Sequence, residues 1–302
     1  MDYVAAWLGA PRGVGFLVPS SAGYRLVQLT NGVFSVHSLA ERETFHPVIG
    51  PVAEAEALYV RQLRLEDRLS SLGTEFVIWD VGLGAAANAL TVLRRTRGIA
   101  CPVRLISFDH TLEPLRFGLQ HSDELGYIAE YREPVEALLC QGRTAFQDGA
   151  RGVEWALHFG DFPHLLTGPD SDSWPKPHAI LFDAFSPATN PAMWTLKLFT
   201  DLYLRLDPRR PCALPTYSRS TMLRVSLLLA GFFVGAGHAT GEKEETTIAA
   251  NALSLISDPL DRRWLQRARR STCAEPLREP VYRRERLSDP SWERLLAHPQ
   301  FR

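Results

Sequence analysis

Four aspartates carry most of the chemical promise of this chain, because each follows a short apolar run. Asp80 closes Phe76–Trp79 (FVIW), Asp109 closes Val103–Phe108, Asp161 follows Glu154–Phe159 and Gly160, and Asp183 follows His178–Phe182. The turn after Asp80 reads VGLG, and Gly82, Gly84 and Ala87 satisfy the G-x-G-x-x-G/A spacing. There the missing Cβ atoms let backbone N–H groups approach a ligand closely. That spacing alone admits a nicotinamide dinucleotide, or tight packing with no ligand. Asp80 discriminates, because a carboxylate two residues before the first glycine repels a pyrophosphate. S-adenosylmethionine (SAM) has no phosphate and carries an ammonium and a sulfonium, which a carboxylate attracts. The sequence therefore favours SAM over NAD.

The other acids extend this reading. In a doubly wound sheet, ligands bind at the carboxyl ends of the strands. Asp109 is placed there to accept hydrogen bonds from both ribose hydroxyls, a role common to NAD and SAM sites. Asp161 could pair with the adenine amino group while Phe162 covers the ring. Asp183 begins the string DAFSP, beside the place where the SAM methyl would point. Methyl transfer to an amine is an in-line displacement that needs alignment and a neutral nucleophile. Asp183 can hold the amine and accept its proton, and Phe185 and Pro187 can form an apolar floor for a flat base. The plainer alternative is a turn in which Asp183 caps a helix and Phe185 is core.

The elements that must position these residues follow an α/β pattern. Tyr24–Thr30 and Val33–Ser38 flank Asn31-Gly32, a two-residue hairpin signal. Val52–Leu69 reads as one helix, and hairpin and helix together could cap the glycine turn. Strands are predicted at Phe76–Trp79, Val103–Phe108, Glu154–Phe159, His178–Phe182, Cys212–Tyr217, Phe232–Val234 and Thr246–Leu255. Helices are predicted from Ala85, over Leu112–His121, Pro134–Leu139 and Met193–Leu206, and over Ser220–Leu229. The last two strands form a hairpin whose Gly241–Lys243 loop offers Lys243 as a substrate-binding candidate. The expected fold is thus Rossmann-like: a seven-stranded, mostly parallel sheet with an antiparallel last strand, as in SAM-dependent methyltransferases, plus a small N-terminal hairpin/helix extension. Residues 1–73 form that extension, 74–258 the methyltransferase core, and 259–302 a basic C-terminal tail.

Composition narrows the setting. With 302 residues, 45% hydrophobic, the chain can bury a sizeable core, and its net charge of −1 excludes a uniformly basic nucleic-acid binder. The four cysteines lie far apart and the histidines show no ligand spacing, so neither a metal site nor a disulfide framework is expected. The N-terminus lacks a signal-peptide pattern and no segment reads as a membrane span, which fits a reducing cytoplasm. The average charge hides an asymmetry: Asp261–Arg302 holds 11 arginines and 6 acids. Arg262, Arg263, Arg267, Arg269 and Arg270 can form one helical stripe suited to phosphates, or a merely solvated face.

Taken in order, DVGLGAAANAL, SFDHTLEPL, FGDF, FDAFSPATNPAMW, LPTYSRSTMLRVSLLLAGF and GEKEETTIA resemble the methyltransferase component of the tRNA 5-methylaminomethyl-2-thiouridine biosynthesis family. ETFHPVIGPVAEAEALY is similar to that family's stand-alone branch, whose members lack the fused FAD-dependent oxidase. The resemblance implies methylation, from SAM, of a 5-aminomethyl group on the wobble uridine of tRNA, with no demodification step. It implies Asp80, Gly82 and Gly84 around the methionine moiety, Asp109 on the ribose, Asp161 at the adenine, and Asp183 and Phe185 facing the uridine. The resemblance covers about Tyr24 to Leu255, so Arg263, Arg267 and Arg270 are tRNA-binding candidates on the charge of their stripe alone. Asp80 and Asp109 stand where many members have glutamate, Ala85-Ala86 replaces threonine-glycine, and His46-Pro47 replaces histidine-serine. Other functions compatible with the residues are methylation of a small amine or another nucleobase, NAD-dependent redox chemistry, and a silent tRNA-binding module.

Overall fold

The computed structural model describes residues 14–17, 23–241 and 244–302. Its centre is an eight-stranded sheet built from β5 (Phe76–Val81), β6 (Val103–Asp109), β7 (Arg143–Asp148), β8 (Arg151–Phe159), β9 (Ala179–Phe182), β10 (Ala213–Thr216), β11 (Phe233–Gly237) and β12 (Thr246–Ala250). The order is β11-β12-β10-β9-β5-β6-β8-β7. The inner strands β10, β9, β5, β6 and β8 pair in parallel, while β12 lies antiparallel between β10 and β11. This is the SAM-methyltransferase topology with one strand more than predicted. The addition, β7, runs antiparallel to β8 on the edge. Its sequence RTAFQD is largely polar and its side chains are mostly exposed or half-buried, so no apolar alternation marks it.

A separate four-stranded antiparallel sheet, order β1-β2-β3-β4, precedes the core: β1 (Val14–Leu17), β2 (Tyr24–Leu29), β3 (Phe34–Ser38) and β4 (Glu43–Thr44). The hairpin expected at Asn31-Gly32 is β2–β3. The single helix expected over Val52–Leu69 is instead three pieces: α1 (Pro51–Ala55), a π-helical stretch Glu56–Arg61, and α2 (Leu65–Ser71). Ala57, Leu58, Tyr59 and Val60 are all buried, and four consecutive buried positions exceed the stripe an α-helix of 3.6 residues per turn would present. Arg64, with φ 50°, then breaks the helix.

The remaining helices are α3 (Ala87–Thr96), α4 (Glu113–Gln120), α5 (Ser122–Leu125), α6 (Arg132–Gln141), α7 (Phe162–Thr167), α8 (Leu196–Arg205), α9 (Thr221–Ala230), α10 (Arg262–Arg270) and α11 (Asp289–Leu296). Side chains alternate across β5, so the core has two faces. Val77, Trp79 and Val81 join α7, α8, α9 and α10, whereas Phe76 and Ile78 join α3, α6 and the N-terminal unit. Residues from 259 onward contribute Trp264, Leu265, Ala268, Leu277, Leu287, Leu295 and Phe301 to the first face. The Gln300 amide accepts from Val234 N–H (2.8 Å) and donates to Val234 O and Leu260 O (both 2.8 Å), which adds to the backbone bonds of residues 258–260 along the outer edge of β11. No helix among the described residues is long and apolar enough to cross a membrane.

One backbone feature follows from the sequence departure at the start of α3. Ala86 precedes the helix in the left-handed region, φ 62°, where a glycine is the usual occupant. Relief of that strain, about 1–2 kcal/mol, is offset in an Ala86→Gly variant by unfolded-chain entropy of about 0.4–1 kcal/mol and by loss of a buried methyl, about 0.8 kcal/mol. The variant should therefore melt like wild type, within about 0.8 kcal/mol. Ala89→Gly, buried inside α3, has no strain to relieve and should lose about 1.5–2 kcal/mol. Equal losses in chemical denaturation would show that Ala86 is unstrained.

Candidate active site

The carboxyl ends of β5, β6, β8 and β9 surround a cavity of about 400 Å³, roofed by β3, β4 and the turn after it. Two glycines shape its floor. Gly82, φ 90°, lies so close to β9's following loop that a Cβ would sit 2.7 Å from the Asp183 carbonyl oxygen. At Gly84, φ 53°, a Cβ would sit 3.2 Å from the Phe45 ring. Any side chain here would part the glycine turn from the elements that close over it.

Of the acids singled out by sequence, three line this cavity and one does not. Asp109 Oδ2 accepts from the Gly84 N–H (2.9 Å) and Oδ1 from the Thr111 N–H (3.1 Å), so it ties β6 to the glycine turn. Burial raises its pKa, and the backbone donors oppose that. Two carboxylate oxygens offer about four acceptor sites, so ribose hydroxyls remain compatible with these bonds. Asp161 is half exposed, 2.8 Å from His164 Nδ1, and Phe162 is buried edge-to-face against Phe108 with ring centres 5.0 Å apart. All three, with Gly82, Gly84, Asp183 and Phe185, are lining residues.

Asp80 stands behind the wall. Its Oδ2 accepts from Ser107 Oγ (2.8 Å), which in turn accepts from Trp155 Nε1 (2.9 Å), and its other oxygen meets no donor among the described residues. Burial pushes its pKa up to about 7, with the Ser107 bond opposing. Pro187 is half-buried outside the cavity lining. Lys243 lies outside the described residues. Arg263, Arg267 and Arg270 are exposed on α10 and do not line the cavity. Two other arginines of that stripe are engaged: Arg262 donates to Phe301 O (2.8 Å), and Arg269 donates to Leu287 O (2.9 Å) and stacks over Trp292.

The N-terminal unit supplies residues to which sequence reading gave no role. His46 places Nε2 3.6 Å from Asp183 Oδ2 and Nδ1 3.8 Å from Glu54 Oε1. The same Asp183 oxygen accepts from Asn88 Nδ2 of α3 (2.7 Å). Glu43 accepts from Ser186 Oγ and Thr189 Oγ1 (both 2.5 Å) and from the Ser186 N–H (3.2 Å), pinning the loop after Asp183. Tyr217 O–H donates to Ala184 O (3.0 Å) and Trp194 Nε1 to Phe185 O (2.7 Å). Burial first, then Asp183, Glu43 and Glu54, raises the Tyr217 pKa, so its hydroxyl stays a donor. The ETFHP string was the available signal for Glu43, Phe45 and His46; Asn88 had only its place on the first turn of a helix.

Among the described residues, the lining holds five carboxylates (Glu43, Glu54, Asp109, Asp161 and Asp183) against Arg42 and three histidines. An acidic cavity floored by a Cβ-free turn fits a ligand with a sulfonium and an ammonium.

Residues 129–252 match a family described as S-adenosyl-L-methionine-dependent methyltransferase. With that match and this fold, the chain is a SAM-dependent methyltransferase. It is 28% identical over 207 residues to the tRNA 5-methylaminomethyl-2-thiouridine biosynthesis bifunctional protein MnmC of Aeromonas hydrophila, covering 64% of this chain and 30% of that protein. The like-named protein of Methylibium petroleiphilum is 28% identical over 233 residues, covering 74% and 34%. The chain thus spans about a third of the length of these curated relatives. The crystal structure of MNMC2 from Aquifex aeolicus shares the fold with a TM-score of 0.67 and 23% identity, over 93% of this chain and 85% of that one. The family resemblance read from the motifs is borne out, and SAM is the cofactor.

Asp80 gives a pH test of the wall. Its folded pKa, about 7, lies above the unfolded value of about 4. Its folding contribution is therefore full below pH 4 and declines as pH rises from about 4 to about 7. Asp80→Asn keeps an acceptor for Ser107 and removes the titration. The variant's melting temperature relative to wild type should rise between pH 5 and pH 8. A difference that stays constant across that interval would mean Asp80 is ionised throughout.

Proposed function

We propose that this methyltransferase transfers the SAM methyl group to the 5-aminomethyl group of a wobble uridine in tRNA, yielding 5-methylaminomethyluridine. The observation that carries the reading is Asp183, fixed beside the glycine turn by Asn88 and His46 in an acidic cavity. The names of the relatives, in 5-methylaminomethyl-2-thiouridine biosynthesis, support the same substrate. A tRNA substrate places the work in the cytoplasm.

Gly82 and Gly84 would hold the methionine portion of SAM through backbone, Asp109 the ribose, and Asp161 and Phe162 the adenine, with Asp80 bracing the turn from behind. When bound, SAM supplies an electrophilic methyl carbon on sulfur. The chain's residues supply alignment and proton handling. An alkyl ammonium has no lone pair; Asp183 accepts one of its protons, and the resulting neutral amine attacks. The C–S bond breaks as the N–C bond forms, and the product leaves as a secondary ammonium. A proton on Asp183 Oδ2 has the His46 ring beside it and Glu54 beyond, a route away from the reacting nitrogen. Phe185, edge-to-face with Phe45 at 5.6 Å, offers an aromatic wall to the base.

Asp183→Asn keeps shape and an acceptor for Asn88 while removing the base. Single-turnover methylation of 5-aminomethyluridine tRNA, followed by nucleoside mass spectrometry, should fall by roughly 10²–10⁴-fold with SAM affinity nearly unchanged. The deficit should shrink as pH rises and solution supplies neutral amine. Wild-type rates at neutral pH would make Asp183 structural, and no methylated nucleoside from wild type would sink the reaction itself.

For tRNA, replacing Arg263, Arg267 and Arg270 together by Ala should flatten the salt dependence of binding by about 0.7–0.9 log units for each phosphate no longer neutralised. An unchanged slope would leave these residues as solvated surface.

A further inference from the structure

We propose that Arg42 is a substrate-positioning residue that grips the phosphate of the nucleotide whose base enters the cavity, so that the site selects a phosphodiester-linked nucleotide over a free amine. This rests on reading the cavity as a nucleobase site. Three observations converge on Arg42. Among the described residues it is the single lysine or arginine in the cavity lining, which otherwise holds five carboxylates and three histidines. It is exposed at the rim, in the turn between β3 and β4, and forms no hydrogen bond or ion pair with a described residue. Its sequence neighbour Glu43, the obvious partner, is occupied by Ser186 and Thr189 across the cavity.

The backbone adds a second argument. Arg42 has φ 56°, a left-handed conformation that an arginine rarely adopts. Such strain persists where surrounding structure enforces it, and it recurs at ligand clamps. Here the enforcing contacts are those of Glu43 and Phe45, which follow at once and bind the loop after Asp183 and the glycine turn. The turn therefore projects a guanidinium just before the short strand β4, after which Phe45 walls the cavity.

Charge logic names the ligand. The cavity's acids favour a cationic reacting group and disfavour a phosphate inside it. A nucleotide offers both signs on one molecule: an aminomethyl base that is cationic, and a phosphate that must stay outside. A planar guanidinium at the rim meets that phosphate with paired N–H donors. The acids then repel any pose in which the phosphate enters first, so Arg42 and the carboxylates orient the nucleotide together.

The test uses the full chain and a fluorescent anticodon stem-loop RNA, with anisotropy titrations across NaCl concentrations. Arg42→Asn keeps a residue tolerant of left-handed backbone, and Arg42→Ala removes the side chain outright. Melting shifts with S-adenosylhomocysteine verify that each variant is folded. Both variants should bind more weakly, and each should lose about 0.7–0.9 log units of salt slope, the share of one phosphate. With 5-aminomethyluridine substrates, kcat/KM for the stem-loop should fall about 10-fold or more, whereas that for the free nucleoside should change less than about 2-fold. Wild-type slope in both variants would overturn the assignment, as would equal losses on stem-loop and nucleoside. An Arg42-dependent slope in a protein that methylates no aminomethyluridine would uphold the phosphate contact and reject the proposed reaction instead.

Discussion

The structure depends on one close approach, between the glycine turn after β5 and the backbone that leaves β9. β5 lies between β9 and β6, the point where strand order reverses and a cleft must open at the carboxyl ends. Asp183 N–H donates to Val81 O at 3.0 Å, and the Asp183 carbonyl sits where a Cβ of residue 82 would be. The turn that would cradle the cofactor and the loop that would present the base are thus in backbone contact. Their separation is fixed by main-chain geometry, with no flexible side chain in between. A reaction limited by alignment gains most from that kind of registration.

The N-terminal unit completes what the sheet begins. Glu43, Phe45 and His46 are consecutive in sequence apart from Thr44, and each reaches a different part of the cleft: the loop after β9, the glycine turn, and the Asp183 carboxylate. Hydrogen bonds to a charged acceptor are each worth about 1.5–3 kcal/mol, so the Glu43 contacts can hold a small sheet against a large one. They also roof the cavity. Removing water raises the strength of every electrostatic interaction inside it, which makes the roof part of the chemistry.

The sheet was largely legible because apolar runs ended by an acid or a glycine are what buried parallel strands look like. What escaped notice has specific causes. β7 is polar and exposed, so periodicity had nothing to register. The break in the Val52–Leu69 helix arises from four adjacent buried residues and a left-handed Arg64, neither of which the apolar spacing reports. At the site, Asp109, Asp161 and Asp183 were placed correctly at the strand ends, but side-chain direction was not. Strand residues alternate between faces, and Asp80 points toward Ser107. His46 and Glu54 reach Asp183 across a sequence separation that no local pattern can report.

The choice of a sulfonium cofactor over a dinucleotide was argued from Asp80, yet the charge that faces the cavity belongs to other residues. Asp109, Asp183 and Glu54 present it, while Asp80, with its pKa near neutrality, supplies a variable charge from behind. The conclusion survives because negative charge is distributed over several strand ends, and the field in a cleft sums over them. That distribution answers a difficulty built into the proposed reaction. A sulfonium and an alkyl ammonium repel each other, and bringing them to bonding distance in a dry cavity would be prohibitive without carboxylates around both. The same carboxylates, however, hold the ammonium in its protonated, unreactive form. In that reaction Asp183 would escape this opposition, because its neighbour His46, lying between it and Glu54, would give the proton somewhere to go while the remaining acids stayed with the sulfonium. Attraction and activation would thereby fall to different groups, which a single acid at the glycine turn could not achieve.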